Sequence, residues 1–263
     1  MSQQRACITT SWDDGHPHDF RVAELLSKYK LTGTFYIPKF APTGTMPEAH
    51  VRDLGSSFEI GAHTIDHVFL PDVEDIRADE QISGSKKWVE DVTGRFCPLF
   101  CPPAGKFHRH HLKLIKIAGF TGLRTVEFMS VDHPRHVDGL LMMPTTLQAC
   151  PHDSAVYLRN FAKRFAMRNL WNWIMYARSP HWARNVRSLL KLTLRQQGVF
   201  HLWGHSWEIT EHAQWDRLEY AFKLMSEVLH LAPCITNGEL CRRTLADDQA
   251  SATATVASSM GAL

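Results

Sequence analysis

The sequence predicts an α/β domain: a (β/α) barrel of about seven parallel strands, with an all-helical insertion before the last core strand. Three observations carry this. Short β-favouring runs alternate with helical-period stretches between residues 7 and 203, and repeated βα alternation implies a parallel sheet covered by helices. The 263 residues suit one large core. A hydrophobic fraction of 44% beside a charged fraction of 21% is that of a globular protein and excludes a disordered or collagen-like chain.

Residues 7–12 read as the first strand, because Ile8, Thr9 and Thr10 favour extended backbone and Asp13-Asp14-Gly15 ends it in a turn. Val22, Leu25, Leu26 and Tyr29 then recur at helical spacing. Residues 34–37 form a strand stopped by Pro38, and residues 58–60 one stopped by Gly61. A helix over 75–89 precedes a short strand at 99–101, closed by Pro102-Pro103, and a helix over 110–118 precedes a strand at 122–126. Residues 140–147 and 199–203 complete the strands. Leu218, Ala221, Phe222, Met225, Val228 and Leu229 make one apolar helical stripe, and Thr236-Asn237-Gly238-Glu239 is a capping box opening a last helix. Residues 153–197 break the rhythm as the helical insertion. Nine bases (Arg159, Lys163, Arg164, Arg168, Arg178, Arg184, Arg187, Lys191, Arg195) face one acid, Asp153, with Trp171, Trp173 and Trp182 among them. The barrel domain is placed at 1–245, and the Ala/Ser/Thr-rich residues 246–263 are expected to be a disordered tail.

The balance of 29 Lys plus Arg against 27 Asp plus Glu leaves a formal +2, with no overall positive field for nucleic acid. No apolar run reaches the ~18 residues of a spanning helix. The opening MSQQRACITT lacks the apolar stretch of a secretory leader, so a cytoplasmic location is expected. Cys7, Cys97, Cys101, Cys150, Cys234 and Cys241 are scattered without a CxxC pair and read as small core residues rather than a disulfide framework.

In such architectures reactive groups collect beyond the carboxyl ends of the strands. Asp13-Asp14 lies at one such end, and His63-Thr64-Ile65-Asp66-His67 at another, with two imidazoles one helical turn apart. Together they offer a His-His-Asp set with open positions for water, the arrangement of a catalytic divalent metal.

These residues resemble the polysaccharide deacetylases, carbohydrate esterase family 4. Ser11-Trp12-Asp13-Asp14-Gly15 matches the family's first motif, His63 to His67 its second, and Cys101-Pro102-Pro103-Ala104-Gly105 part of its third; VFHLWGH at 199–205 fits the fifth. The resemblance implies a distorted barrel in which Asp14, His63 and His67 bind one divalent metal, zinc first, with cobalt or manganese as alternatives. It implies Asp13 as general base and the backbone N–H of Ala104, stiffened by Pro102 and Pro103, as oxyanion donor. Two histidines compete for the acid role, His201 within the last strand and His205 beyond it; His205 is preferred because Gly204 breaks the strand before it. Two departures stand out. Cys101 occupies the place of the motif's arginine, and Arg124 is the candidate substitute; the acid of the fourth motif is sought among Glu127, Asp132 and Asp138.

The substrate-binding set expected around this centre is Trp12, Pro103, Ala104, Gly105, Arg124, Trp203 and Trp207, the tryptophans as platforms for sugar rings. His16 and His18 read as loop residues, and His108 to His111 as a polar helix start. The implied reaction is removal of an N-acetyl or related acyl group from an amino sugar, in a cytoplasmic intermediate of bacterial surface-polysaccharide synthesis. The basic insertion suits a phosphate-bearing substrate, a carrier or peripheral contact with a membrane surface. The rivals are hydrolysis of a non-sugar amide or imide, and an inactive carbohydrate- or carrier-binding relative. The sequence leaves the oligomeric state open.

Overall fold

The computed structural model describes residues 5–177 and 179–260, with side chains as far as Ala250. In chain order the elements are β1 (Cys7–Asp13), α1 (Asp19–Lys28), β2 (Thr34–Ile37), α2 (Glu48–Ser57), β3 (Glu59–Ala62), α3 (Asp75–Thr93), β4 (Leu99–Phe100), α4 (His111–Ile117), β5 (Gly122–Arg124), β6 (Arg135–Val137), β7 (Leu140–Met143), β8 (Leu147–Gln148), α5 (Ser154–Arg164), α6 (Met167–Tyr176), α7 (Trp182–Gln196), β9 (Val199–His205), α8 (Ser206–Glu211), α9 (Trp215–Ser226) and α10 (Asn237–Met260).

The strands form one sheet in the order β6-β7-β5-β4-β3-β2-β1-β9-β8, parallel throughout except for β6 on β7. β7, next to last at one end of this order, and β8, at the other end, are separated only by Pro144, Thr145 and Thr146. The chain therefore crosses from one edge to the other and curls the sheet into a distorted barrel. Thr146 N–H donates to the His201 carbonyl (2.9 Å) on the far side of that crossing. The single strand expected at 140–147 is thus two, broken at Pro144, which has no N–H to extend the ladder. The antiparallel β6 was not expected, being three residues long and largely exposed.

Strand alternation divides the apolar side chains into two cores. Outward-facing residues such as Ile8, Trp12, Phe35 and Phe200 pack with Val22, Leu26, Leu189, Leu218 and Phe222 of the covering helices. Inward-facing residues fill the barrel: Cys7, Tyr36, Leu99, Cys101, Leu141, Met143 and Val199, closed from below by Ile235, Leu240 and Cys241. Thr236 caps α10, its Oγ1 accepting the Glu239 N–H (3.2 Å), and Asn237 reaches into the barrel to donate to the Tyr36 hydroxyl (2.9 Å). Above this apolar floor the interior becomes polar, through Thr9, Ser11 and His201, towards the rim.

The insertion is α5, α6 and α7, all helical and placed between β8 and β9. Part of its charge is paired at the surface: Arg168 pairs with Asp132, and Arg187 lies 3.8 Å from Glu227. The disordered tail expected at 246–263 is instead a continuation of α10 to Met260. Alanine, the strongest helix former, recurs through this stretch. Residues 1–4, Arg178 and residues 261–263, also touched by the sequence reading, lie outside the described residues. No helix among the described residues is long and apolar enough to cross a membrane.

Candidate active site

Asp13 ends β1 and points into the barrel, in register with His205 of β9. Alternation would send Asp14 outwards, but its φ of +78° lies in the left-handed region and breaks the alternation. Both carboxylates therefore face the same imidazole: His205 Nε2 is 3.9 Å from Asp13 and 4.0 Å from Asp14.

His63 follows β3 directly. Its Nδ1–H donates to the Cys101 carbonyl at 2.6 Å, which turns Nε2 towards Asp14 Oδ1 at 3.5 Å. His67 Nε2 is 3.0 Å from the same oxygen. The segment joining them is not the helical turn suggested by the four-residue spacing: Thr64 and His67 have φ of +64° and +52°. Gln81 of α3 pins this loop, its Oε1 accepting the N–H groups of Ile65 (3.0 Å) and Asp66 (2.8 Å). Sequence reasoning missed Gln81; the available signal was a lone amide within the buried stripe of Ala78, Ile82 and Ser85.

The donor set fits a divalent metal. Asp14 Oδ1 is buried without a hydrogen-bond donor, although two imidazole nitrogens crowd it. Ligand atoms of Asp14, His63 and His67 lie within 4.8 Å of one another. Burial pushes the Asp14 carboxyl up, but the imidazoles of His63 and His67 and the charge of His205 outweigh it, holding the group well below the usual carboxylate range. The carbonyl behind His63 is the kind of partner that orients a metal-bound imidazole.

Two other groupings of ligand-type side chains occur among the described residues. In Asp13, His63 and Cys101, burial pushes the thiol well up, and both Asp13 oxygens already accept from Arg124. In Asp75, His110 and His111, the His111 Nδ1 already accepts the His108 N–H (3.0 Å).

Arg124 is fully buried, its Nη2 pairing with both oxygens of Asp13. Its guanidinium lies over the Trp203 ring (4.7 Å to the centroid) and the Tyr36 ring (5.4 Å). This burial corrects its expected place among substrate-binding residues: it touches Asp13 from below. An arginine from β5 thus reaches the carboxylate that Cys101 of the third motif cannot pair.

The two candidate histidines are separated plainly. His201 is buried, donating through Nδ1 to the Pro144 carbonyl (3.1 Å) and accepting through Nε2 from Ser11 (2.9 Å). Burial and the charge of Arg124 push it down to about 3. His205 donates through Nδ1 to Glu208 (2.6 Å). Burial alone would lower it, but Glu208 and the nearby aspartates push it up to about 9. The carboxylate on His205 is thus Glu208 and none of the three acids considered for the fourth motif. Glu127 binds Arg135 (2.7 Å), Asp132 binds Arg168, and Asp138 binds Arg109 (3.0 Å).

The tryptophans divide as well. Trp12 is wholly buried against Phe222, because even-numbered β1 side chains face the helices, and Trp203 is buried beside Arg124 and Phe128; neither is a sugar platform. Trp207 is half-buried and donates its indole N–H to Asp14 Oδ2 (2.8 Å). Pro103, Ala104 and Gly105 form one tight turn after β4, with Pro103 buried, Ala104 exposed and φ of +53° and +62° at Ala104 and Gly105. A Cβ on Gly105 would come within 2.4 Å of Val126, so only glycine fits there.

A family model described as polysaccharide deacetylase matches residues 2–123. A peptidoglycan-N-acetylglucosamine deacetylase of Bacillus cereus is 29% identical over 119 residues, 43% of this chain and 53% of the relative. A chitooligosaccharide deacetylase of Azorhizobium caulinodans is 31% identical over 137 residues, 50% of this chain and 62% of the relative. The match thus spans a little over half the length of these curated relatives. In fold, the chain is similar to a candidate polysaccharide deacetylase from Mycobacterium smegmatis (TM-score 0.66, 16% identity, 94% of this chain and 93% of that one). It is also similar to a mutant of a carbohydrate esterase family 4 pseudoenzyme with restored enzymatic activity (TM-score 0.54, 14% identity, 90% and 68%). The barrel, the motif order along it and the family model over residues 2–123 agree in likening this chain to the polysaccharide deacetylases.

Proposed function

We propose that this chain is a metal-dependent N-deacetylase that hydrolyses the acyl amide of an amino sugar. The observation that carries the reading is the convergence of Asp14, His63 and His67 on one rim, with Asp13 and His205 beside them. Those three side chains would hold one divalent ion, zinc first, with cobalt or manganese as alternatives. When bound, such an ion polarises an amide carbonyl and lowers the pKa of water.

The chain's own residues supply the rest. Asp13, its carboxylate fixed from below by Arg124, takes a proton from water as the water oxygen bonds to the carbonyl carbon. The turn at Pro103–Gly105 offers the Ala104 N–H to the developing oxyanion. His205, protonated near neutrality and aimed by Glu208, gives its proton to the amide nitrogen as the C–N bond breaks. The products are a carboxylic acid and a free amino sugar.

The names of the two relatives support an N-acetylglucosamine-containing glycan as substrate. A cytoplasmic intermediate of surface-polysaccharide synthesis is our finer proposal, in keeping with six free thiols. The exposed Lys163, Arg184, Lys191 and Arg195 support contact with a phosphate-bearing carrier or membrane surface, testable by salt-dependent vesicle sedimentation.

The deciding experiment pairs elemental analysis with amine release from N-acetylglucosamine oligomers and hydrolysis of cyclic imides. Wild type is expected to hold a divalent metal and to release amine. Asp14→Asn and His67→Ala are expected to lose metal. Undiminished metal in both variants, or turnover of imides alone, defeats the reading.

A further inference from the structure

A second concave site lies outside the catalytic rim. A cavity of about 440 Å³ opens between the inserted helices and the loop after β8. Tyr157 and Trp173 line it and stack on one another, 5.8 Å between centroids and 21° apart, and Trp182 lines it as well. His152, Asp153 and Ser154 supply polar groups. Among the described residues no Lys or Arg lines it, although the surrounding helices are basic.

That lining selects a chemistry. Among the described lining residues, an anion would find no Lys or Arg and would meet the Asp153 carboxylate. A fatty chain would leave the imidazole and carboxylate desolvated and unpaired. A neutral sugar ring matches both features, its C–H faces lying on aromatic rings and its hydroxyls donating to carboxylate and imidazole acceptors.

The cavity is also wired to the catalytic centre. Gln148 Nε2 donates to Glu208 Oε2 (2.9 Å), so its Oε1 faces His152 and accepts from His152 Nε2–H (2.8 Å). Glu208 Oε2 is the same atom that accepts from His205 Nδ1 (2.6 Å). His152 Nδ1 is left as the acceptor at the cavity end of one hydrogen-bond chain, and His205 stands at the other end.

We propose that this cavity is a subsite for a neutral sugar ring of a glycan substrate, a ring other than the one that loses its acyl group. The proposal rests on the N-deacetylase reading for its substrate, but its binding test is separate. Occupancy holds His152 and Gln148 in place and so fixes the carboxylate that aims His205. Glycans long enough to reach the cavity are therefore turned over better than short ones.

The test uses the full chain and two variants, Trp173→Ala and Asp153→Ala. KM for amine release is measured with di-N-acetylchitobiose and tetra-N-acetylchitotetraose, and tetramer binding by calorimetry on chelator-treated protein. Both variants are expected to raise KM for the tetramer about three- to tenfold more than for the dimer, and to weaken tetramer binding by a similar factor. Circular dichroism checks folding. If Trp173→Ala unfolds, Asp153→Ala carries the test, because Asp153 is exposed. Unchanged KM ratios and binding in folded variants overturn the subsite while wild-type turnover leaves the deacetylase reading standing. Tetramer binding that depends on Trp173 and Asp153 without any amine release upholds the subsite and defeats the deacetylase reading.

Discussion

His201 and His205 share a strand and a face, two alternation periods apart, yet their protonation is driven in opposite directions, to about 3 and about 9. Both are desolvated, and desolvation lowers both. His201, deep in the barrel, then meets the charge of Arg124 and is satisfied as a neutral ring by Pro144 and Ser11. His205, at the rim, meets Glu208, Asp14 and Asp13. Depth along one strand, rather than residue type or face, sets these two histidines apart.

The strongest way to break this contrast is to remove each ring. His205→Ala is expected to lower kcat for amine release about 10²–10⁴-fold, the usual worth of a positioned acid. His201→Gln should cost far less, and equal losses in steady-state assays would erase the distinction.

Arg124→Met tests the charge between the two histidines. It leaves the buried Asp13 without its partner, and urea denaturation should show a loss of about 3–5 kcal/mol. A loss below about 1 kcal/mol would mean the pair does not hold the floor of the site.

Glu208→Gln sharpens the rim side. Turnover needs protonated His205, so wild-type kcat should fall as pH rises through about 9. Without the Glu208 charge that alkaline limb should move down by about one to two units, towards the ordinary imidazole value of about 6.5. A pH profile with an unmoved limb would assign the proton elsewhere.

The smallest effect concerns the interior. His201 titrates lower in the folded chain than in the unfolded one, so the unfolded state takes up the proton first as pH falls. The stability it confers as a neutral ring is fully present above about pH 6.5 and is lost as pH falls towards about 3. Melting temperature followed over that range should fall less steeply in His201→Gln, which at pH 7 should lose only about 1 kcal/mol. Parallel slopes for the two proteins would show that His201 is not the group responsible.

Much of the site could be read before folding because each reactive residue follows a β-favouring run that ends in a turn. Asp13-Asp14 follows β1, His63 follows β3, the Pro103–Gly105 turn follows β4 and His205 ends β9. The supporting residues carry no such mark. Glu208 sits across the strand-to-helix boundary from His205, and Gln81 is one amide in a long amphipathic helix. Trp12 and Trp207 look alike in sequence, but one faces the helices and the other donates to Asp14. β6 carries no such mark either, because three residues, two of them exposed, make too little hydrophobic pattern.

Local pattern therefore determined the order of strands and helices, the helical character of the insertion and the set of residues able to do chemistry. Propensity and periodicity act over a few neighbouring residues, and those features need nothing more. The tertiary structure alone decided that the short link from β7 to β8 curls the sheet, that Arg124 meets Asp13 from 111 residues away, and which histidine is pushed up and which down. Burial depth and the distance between charges are set by long-range packing, and they fix the protonation on which the proposed chemistry depends.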